Sequence, residues 1–140
     1  MLVVLCGVPA SGKTTLSEGI ALSINAKVYH YDDVLGGHHP AKIQELHRQM
    51  WQGIVTDLQN GYNVVCDDLN TKLEWRQGIL SAVSGIDCKK ILIVMTTPLS
   101  ECLKRNANRQ MRLPDFIVES IAKDFEAPAI DEGWDEIVYY

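Results

Sequence analysis

Gly7, Gly12, Lys13 and Thr14 fall in the run GVPASGKT, and their spacing is that of a loop that wraps an oxyanion. The glycines let the backbone curl until successive N–H groups point inward at phosphate oxygens. Lys13 is spaced to reach β- and γ-phosphates, and the Thr14 hydroxyl to ligate Mg²⁺. Pro9, Ala10 and Ser11 complete the loop, and Thr15 continues it into the next segment. A chance glycine turn needs no particular setting. This one follows the apolar run LVVLC and precedes helically spaced Leu16, Ile20 and Ile24, so a helix N-terminus adds its positive end to the cradle. The expected ligand is ATP with Mg²⁺, because the N-K-x-D segment by which switch GTPases read guanine is absent from the chain.

Two acidic pairs come next. Asp32 and Asp33 end KVYHYDD, and Asp67 and Asp68 end YNVVCDD. A carboxylate beside a triphosphate can position Mg²⁺ or accept the proton of an attacking hydroxyl. Taken alone it more often caps a helix or faces water. Two pairs beside one phosphate loop favour function: one acid of each pair is expected to act, the other to be solvated or capping. Asp32, with Asp33 as its rival, is assigned the acceptor proton, and Asp68 the Mg²⁺. Arg105 and Arg109 share a helical face and could clamp the leaving phosphates, although Glu101 and Arg105 are also spaced for an ordinary surface pair.

The elements that must position these groups alternate. Apolar strand-like runs (LVVLC, KVYHYDD, YNVVCDD, KKILIVM, DEIVYY) are separated by helical segments. The helices are expected over 14–24, 40–61, 71–85, 98–109 and 115–128, punctuated by Pro40, Gly61, Gly85 and Pro128. Such alternation predicts an α/β domain with a parallel sheet whose strand C-termini share one edge. The phosphate loop and both acidic pairs fall at that edge, where folds of this class bind ligands.

Composition narrows the classes. The 140 residues suit one domain, 46% are hydrophobic and 22% charged, and a net charge of −5 argues against a long nucleic-acid surface but not against contact with one strand end. No apolar run reaches a membrane span and no signal peptide is legible, so a cytoplasmic protein is expected. Cys6, Cys66, Cys88 and Cys102 lack metal or redox spacing, and His30, His38, His39 and His47 read as loop histidines. Trp51 and Trp75 read as core; Trp134 could be core or a base-stacking residue, and adenine could sit near FEAP.

Together, GVPASGKTT, YDDVLG, VVCDDLN, CLKRNANR and LPDFIVESIAKDFEAPAIDEGWDEI follow in one order over nearly the whole chain. In that order they resemble the kinase domain of polynucleotide 5′-hydroxyl kinases, with seryl-tRNA(Sec) kinases and zeta-toxin-like ATP-binding kinases as relatives. The resemblance implies a P-loop kinase fold: a five-stranded parallel sheet in the order 2-3-1-4-5, flanked by helices. It implies one domain over residues 1–140 with a small lid at about 105–114. It further implies Lys13 and Thr14 on the triphosphate, an aspartate of YDD as general base, and Arg109 of the lid on the phosphates. The implied reaction is transfer of the γ-phosphate of ATP to a hydroxyl, first a DNA or RNA 5′ end. Leu35 or Gly36 stands where phage-type and archaeal relatives carry an arginine for substrate phosphate, so a small alcohol is the alternative acceptor. An ATP-hydrolysing switch without an acceptor is a third reading.

Overall fold

The structure, a computed structural model, describes residues 1–31 and 39–140. Asp32, Asp33 and His38 therefore lie outside the described residues. Five strands form one sheet: β1 (Leu2–Cys6), β2 (Ala26–His30), β3 (Asn63–Asp67), β4 (Lys90–Val94) and β5 (Glu136–Tyr139). Their order is β2-β3-β1-β4-β5 and every pairing is parallel, as the family resemblance implies.

β1 is the central strand and is buried along its whole length. Its side chains alternate between two cores, as the two-residue repeat of a strand requires. Leu2, Val4 and Cys6 join a large cluster with Ile54, Leu58, Ile79, Leu80 and Trp134. Val3 and Leu5 face a smaller one with Ala21, against which Leu16, Ile20 and Ile24 pack. Helix α1 (Lys13–Ile24) thus covers one face of the sheet, while α2 (Pro40–Gln59) and α3 (Leu73–Ala82) cover the other. Gly78 of α3 permits this packing, because a Cβ there would collide with the Trp51 indole. Helices α4 (Leu99–Ala107) and α5 (Asp115–Lys123) pack on each other beside the sheet.

Local chemistry sets the helix ends. Pro40 occupies the first turn of α2, where its missing N–H costs nothing, and the His39 ring accepts from Ala41 N–H at 3.3 Å. Asn25 closes α1 in the left-handed conformation. Helix α5 stops at Lys123, short of the expected 128, because the following segment is recruited elsewhere. Glu126 N–H donates to Thr71 carbonyl at 2.9 Å, and its carboxylate accepts from Leu73 N–H at 2.6 Å. Glu126 thereby caps α3, whose first turn carries otherwise unsatisfied N–H groups. FEAP is thus tied to α3 and lines neither of the grooves beside the phosphate loop. Among the described residues no helix is long and apolar enough to cross a membrane.

Candidate active site

The phosphate loop leaves β1 at Gly7 and enters α1 at Lys13. Gly12 sits at φ 99°, a conformation side chains rarely adopt, and a Cβ on Gly7 would crowd Met95 and Ser11 Oγ. The loop is tied down from both flanks. Gly7 N–H donates to Leu69 carbonyl at 2.9 Å, and the Thr97 hydroxyl donates to Ser11 carbonyl at 2.8 Å. The Ser11 hydroxyl is buried and has no hydrogen-bond partner among the described residues.

Lys13 is 8% exposed and folds back onto its own loop, donating to Gly7 carbonyl at 2.9 Å and Val8 carbonyl at 2.8 Å. Burial disfavours its charge and lowers its pKa to about 8, against the pull of Asp67 and Asp68. A phosphate group offers that ammonium stronger, charged acceptors than two neutral carbonyls. Lys13, Thr14, Thr15, Arg105 and Arg109 line one pocket of about 420 Å³, with Asp67 and Asp68 on its wall. Pro9, Ala10 and Gly12 line it as well. The geometry brings together every candidate placed in the described residues except Gly7 and Ser11, which shape the loop beneath.

Arg105 makes the surface pair and also lines the phosphate pocket. Its Nε donates to Glu101 at 3.2 Å, yet its Nη1 would lie 3.4 Å from a Cβ on Gly12, at the mouth of α1. Arg109 follows α4 in a turn held by Asn106, which is fully buried. The Asn106 amide donates to Leu113 carbonyl at 2.8 Å and accepts from Leu113 N–H at 3.1 Å, so residues 107–112 form a closed loop. A second groove of about 710 Å³ shares Gly12, Thr15 and Arg105 with the phosphate pocket and runs between α1 and the end of β4.

The second acidic pair departs from expectation. Neither acid is solvated: Asp67 is 2% and Asp68 6% exposed. Asp67 Oδ2 accepts from Ser17 Oγ at 3.3 Å and pairs with His30 Nδ1 at 2.9 Å. Asp68 has both oxygens engaged, Oδ1 with Leu69 N–H at 2.6 Å and Oδ2 with His47 Nε2 at 2.9 Å. His47, far from being a loop histidine, is buried in α2 and its Nδ1 lies 2.9 Å from Ile43 carbonyl. The Ile43 carbonyl only accepts, so Nδ1 donates to it, while Nε2 shares its hydrogen bond with the Asp68 carboxyl. Burial opposes a positive charge on the ring, but Asp68 and the Ile43 carbonyl outweigh it and raise the pKa. The ring stacks on Trp75 at 4.3 Å and 20°, with Tyr31 4.3 Å away on a tilt. A lone histidine inside a helical repeat carries no signal of such a pairing. His30, in β2, faces the phosphate pocket rather than a loop.

The tail motifs prove to be braces. Trp134 is 6% exposed, packs in the main core and donates its indole N–H to Glu132 at 3.1 Å. Glu132 in turn holds Arg76, which donates to Asn70 carbonyl at 3.0 Å. Asn70, at φ 47°, donates to Leu5 carbonyl at 2.8 Å, just beneath the phosphate loop.

Comparison with known proteins agrees with this geometry. The family described as chromatin associated protein KTI12 matches residues 1–138. L-seryl-tRNA(Sec) kinase of Methanococcus maripaludis is 23% identical over 145 residues, covering 96% of this chain and 56% of that protein. Protein kti12 of Schizosaccharomyces pombe is 21% identical over 156 residues, covering 99% and 56%. The chain thus spans just over half the length of these relatives. Among solved structures, Chaetomium thermophilum Kti12 in complex with ADP-AlF3 superposes with a TM-score of 0.76 at 14% identity, covering 100% of this chain and 88% of that one. A chain of the Pnkp1/Rnl/Hen1 RNA repair complex superposes with a TM-score of 0.74 at 20% identity, covering 88% and 43%. The kinship expected from the motifs therefore holds, and the fold is that of the P-loop kinases.

Proposed function

The chain belongs to the KTI12 family, and from that premise we propose that it binds ATP and transfers the γ-phosphate to a hydroxyl acceptor, first a 5′-hydroxyl nucleotide end. The observation that carries this reading is the buried Lys13, held on two loop carbonyls in the pocket that Arg105 and Arg109 also line. An enzyme that only moves a phosphoryl group needs positioning and charge neutralisation, which these groups supply. The triphosphate enters the pocket along the α1 N-terminus, and Lys13 exchanges Gly7 and Val8 carbonyls for β- and γ-oxygens. Arg105 and Arg109 approach from the opposite wall. The adenosine lies in the adjoining groove along α1, beside Gly19, Ile20 and Met95. Asp32 or Asp33 takes the acceptor proton, an assignment that rests on the family motif.

Mg²⁺, which neutralises the β- and γ-phosphates when bound, fits Thr14 and Asp67. Thr14 is exposed and lines the pocket, and Asp67 Oδ1 makes no hydrogen bond among the described residues. Asp68 fits less well because both its oxygens are already engaged.

A second reading has its own support: the matched family is described as chromatin associated, not as a kinase. In that reading the same pocket hydrolyses ATP and the chain acts as a switch or adaptor. Incubation with γ-labelled ATP, Mg²⁺ and 5′-hydroxyl oligonucleotides, nucleosides and simple sugars separates the two. Label on an acceptor, lost in Lys13→Ala, supports the kinase. Free phosphate in equal yield whatever acceptor is added supports the switch.

A further inference from the structure

We propose that a second, smaller cavity seats the acceptor, and that it takes an uncharged heteroaromatic ring: the base of a nucleoside unit whose hydroxyl receives the phosphate. The proposal rests on the kinase reading and narrows its acceptor.

The cavity measures about 170 Å³ and shares Tyr31, Asp68 and Leu69 with the phosphate pocket. A group held in it borders the pocket that would hold the transferring phosphate. Its volume corresponds to about five or six waters, enough for a base and too small for an oligonucleotide stack. Three helices supply apolar walls: Ile43 from α2, Trp75 from α3 and Ile121 from α5. The Tyr31 ring and the stacked His47 and Trp75 rings give it an aromatic lining, which favours flat rings over aliphatic ones.

Charge decides between ligand classes. His47 and Asp68 are the only charged groups on the described lining, and they pair with each other at 2.9 Å. The described lining thus offers no net positive charge to a phosphate or carboxylate; Lys13 and the two arginines line the neighbouring pocket. A sugar would need many hydrogen-bonding side chains. Here the Asn70 amide is committed to Leu5 carbonyl and Asp68 to His47, which leaves Thr71 as the remaining polar side chain of the described lining apart from Tyr31. A weakly polar flat ring is the chemistry that matches.

The test is calorimetric binding to the whole chain with a non-hydrolysable ATP analogue and Mg²⁺ saturating the nucleotide site. Adenosine, cytidine, ribose and a 5′-hydroxyl oligonucleotide starting with the same bases are compared. Ile121→Trp and Ile43→Trp each fill the cavity from a different helix, and retained affinity for the ATP analogue shows which variant is folded. The proposal expects a nucleoside to bind at least tenfold tighter than ribose, and each folded variant to lose at least tenfold of that affinity. Ribose bound equally well, no binding by any base-bearing ligand, or nucleoside binding undiminished in a folded variant would overturn it. Oligonucleotide binding as tight as the nucleoside's makes the source a strand end, and binding by the nucleoside alone makes it a free nucleoside. Base binding without transfer of label would sink the kinase reading and leave the ring site standing. Transfer to a ring-less alcohol in the filled variants would do the reverse.

Discussion

Arg76 donates two hydrogen bonds to Glu132, from Nε at 2.9 Å and from Nη2 at 2.8 Å, and both side chains are buried. The pair joins two regions far apart in sequence. On one side Glu132 also accepts from Ala129 N–H and from the Trp134 indole; on the other Arg76 holds Asn70, which holds Leu5 under the phosphate loop. The fork geometry is the one in which a guanidinium binds a carboxylate best.

Breaking this pair from one side should be costly, because it leaves a buried charge without its partner. Glu132→Gln and Arg76→Met are each expected to lose about 3–5 kcal/mol of stability in urea titrations. The pH dependence follows from the same contacts. Burial pushes the Glu132 carboxyl up, but Arg76, Ala129 N–H and the Trp134 indole more than offset it and hold its pKa below the ordinary 4.5. The carboxylate's contribution is therefore complete above about 4.5 and is lost as pH falls through the lower folded value. In Glu132→Gln the acid limb of the stability profile should flatten; an unchanged limb would assign acid sensitivity to other carboxylates.

Lys13→Met should separate folding from function. The ammonium is buried on neutral carbonyls, and its charged form is disfavoured there. Removing it should leave the ligand-free Tm unchanged or higher. Phosphoryl transfer should fall roughly 10²–10³-fold, the usual loss when one donor to a developing oxyanion is removed. Thermal melts with and without ATP check both halves: the variant should lose the rise in Tm that ATP gives the parent. A ligand-free Tm well below the parent's would mean that Lys13 holds the loop together.

Asn106→Ala should loosen the turn that carries Arg109. It strands the Leu113 N–H and carbonyl, both paired with Asn106, at about 1–3 kcal/mol for each group left buried and unpaired. The expected kinetic signature is a higher KM for ATP with a smaller change in kcat, since Lys13 and Thr14 stand on α1, away from the turn. Asn106→Asp keeps the acceptor for Leu113 N–H and should recover part of the affinity. No change in KM would detach the turn from nucleotide binding.

The sheet was legible because β1, β3 and β4 carry runs of apolar residues between helical segments, and the phosphate loop because every fixed position has one chemical reason. Helix ends were less so. The stop of α5 at Lys123 depends on Glu126 reaching the start of α3, a contact over more than fifty residues. The tail motif EGW reads as a family signature, but its role as a brace on Arg76 appears only once the chain is folded. The same applies to His47, whose pKa is raised chiefly by Asp68, a residue from another element.

Asp67 and Asp68 give the sharpest contrast. They are adjacent, so sequence cannot rank them, yet their side chains diverge, Asp67 to Ser17 of α1 and Asp68 to His47 of α2. Asp67 exerts the larger pull on Lys13, and its Oδ1 has no hydrogen-bond partner among the described residues. Asp68 holds the His47 ring. Asp67→Asn should therefore raise the Mg²⁺ concentration for half-maximal turnover at least tenfold, the order expected when a carboxylate contact to the ion is lost. Asp68→Asn should leave that concentration close to the parent's while lowering stability, because it removes the carboxyl that holds the buried His47 ring. A Mg²⁺ titration and a urea titration on each variant decide the matter. Should Asp68→Asn shift the Mg²⁺ titration instead, the His47 pair must open when nucleotide binds, and Asp68 would take the role that its place at the end of β3 suggests.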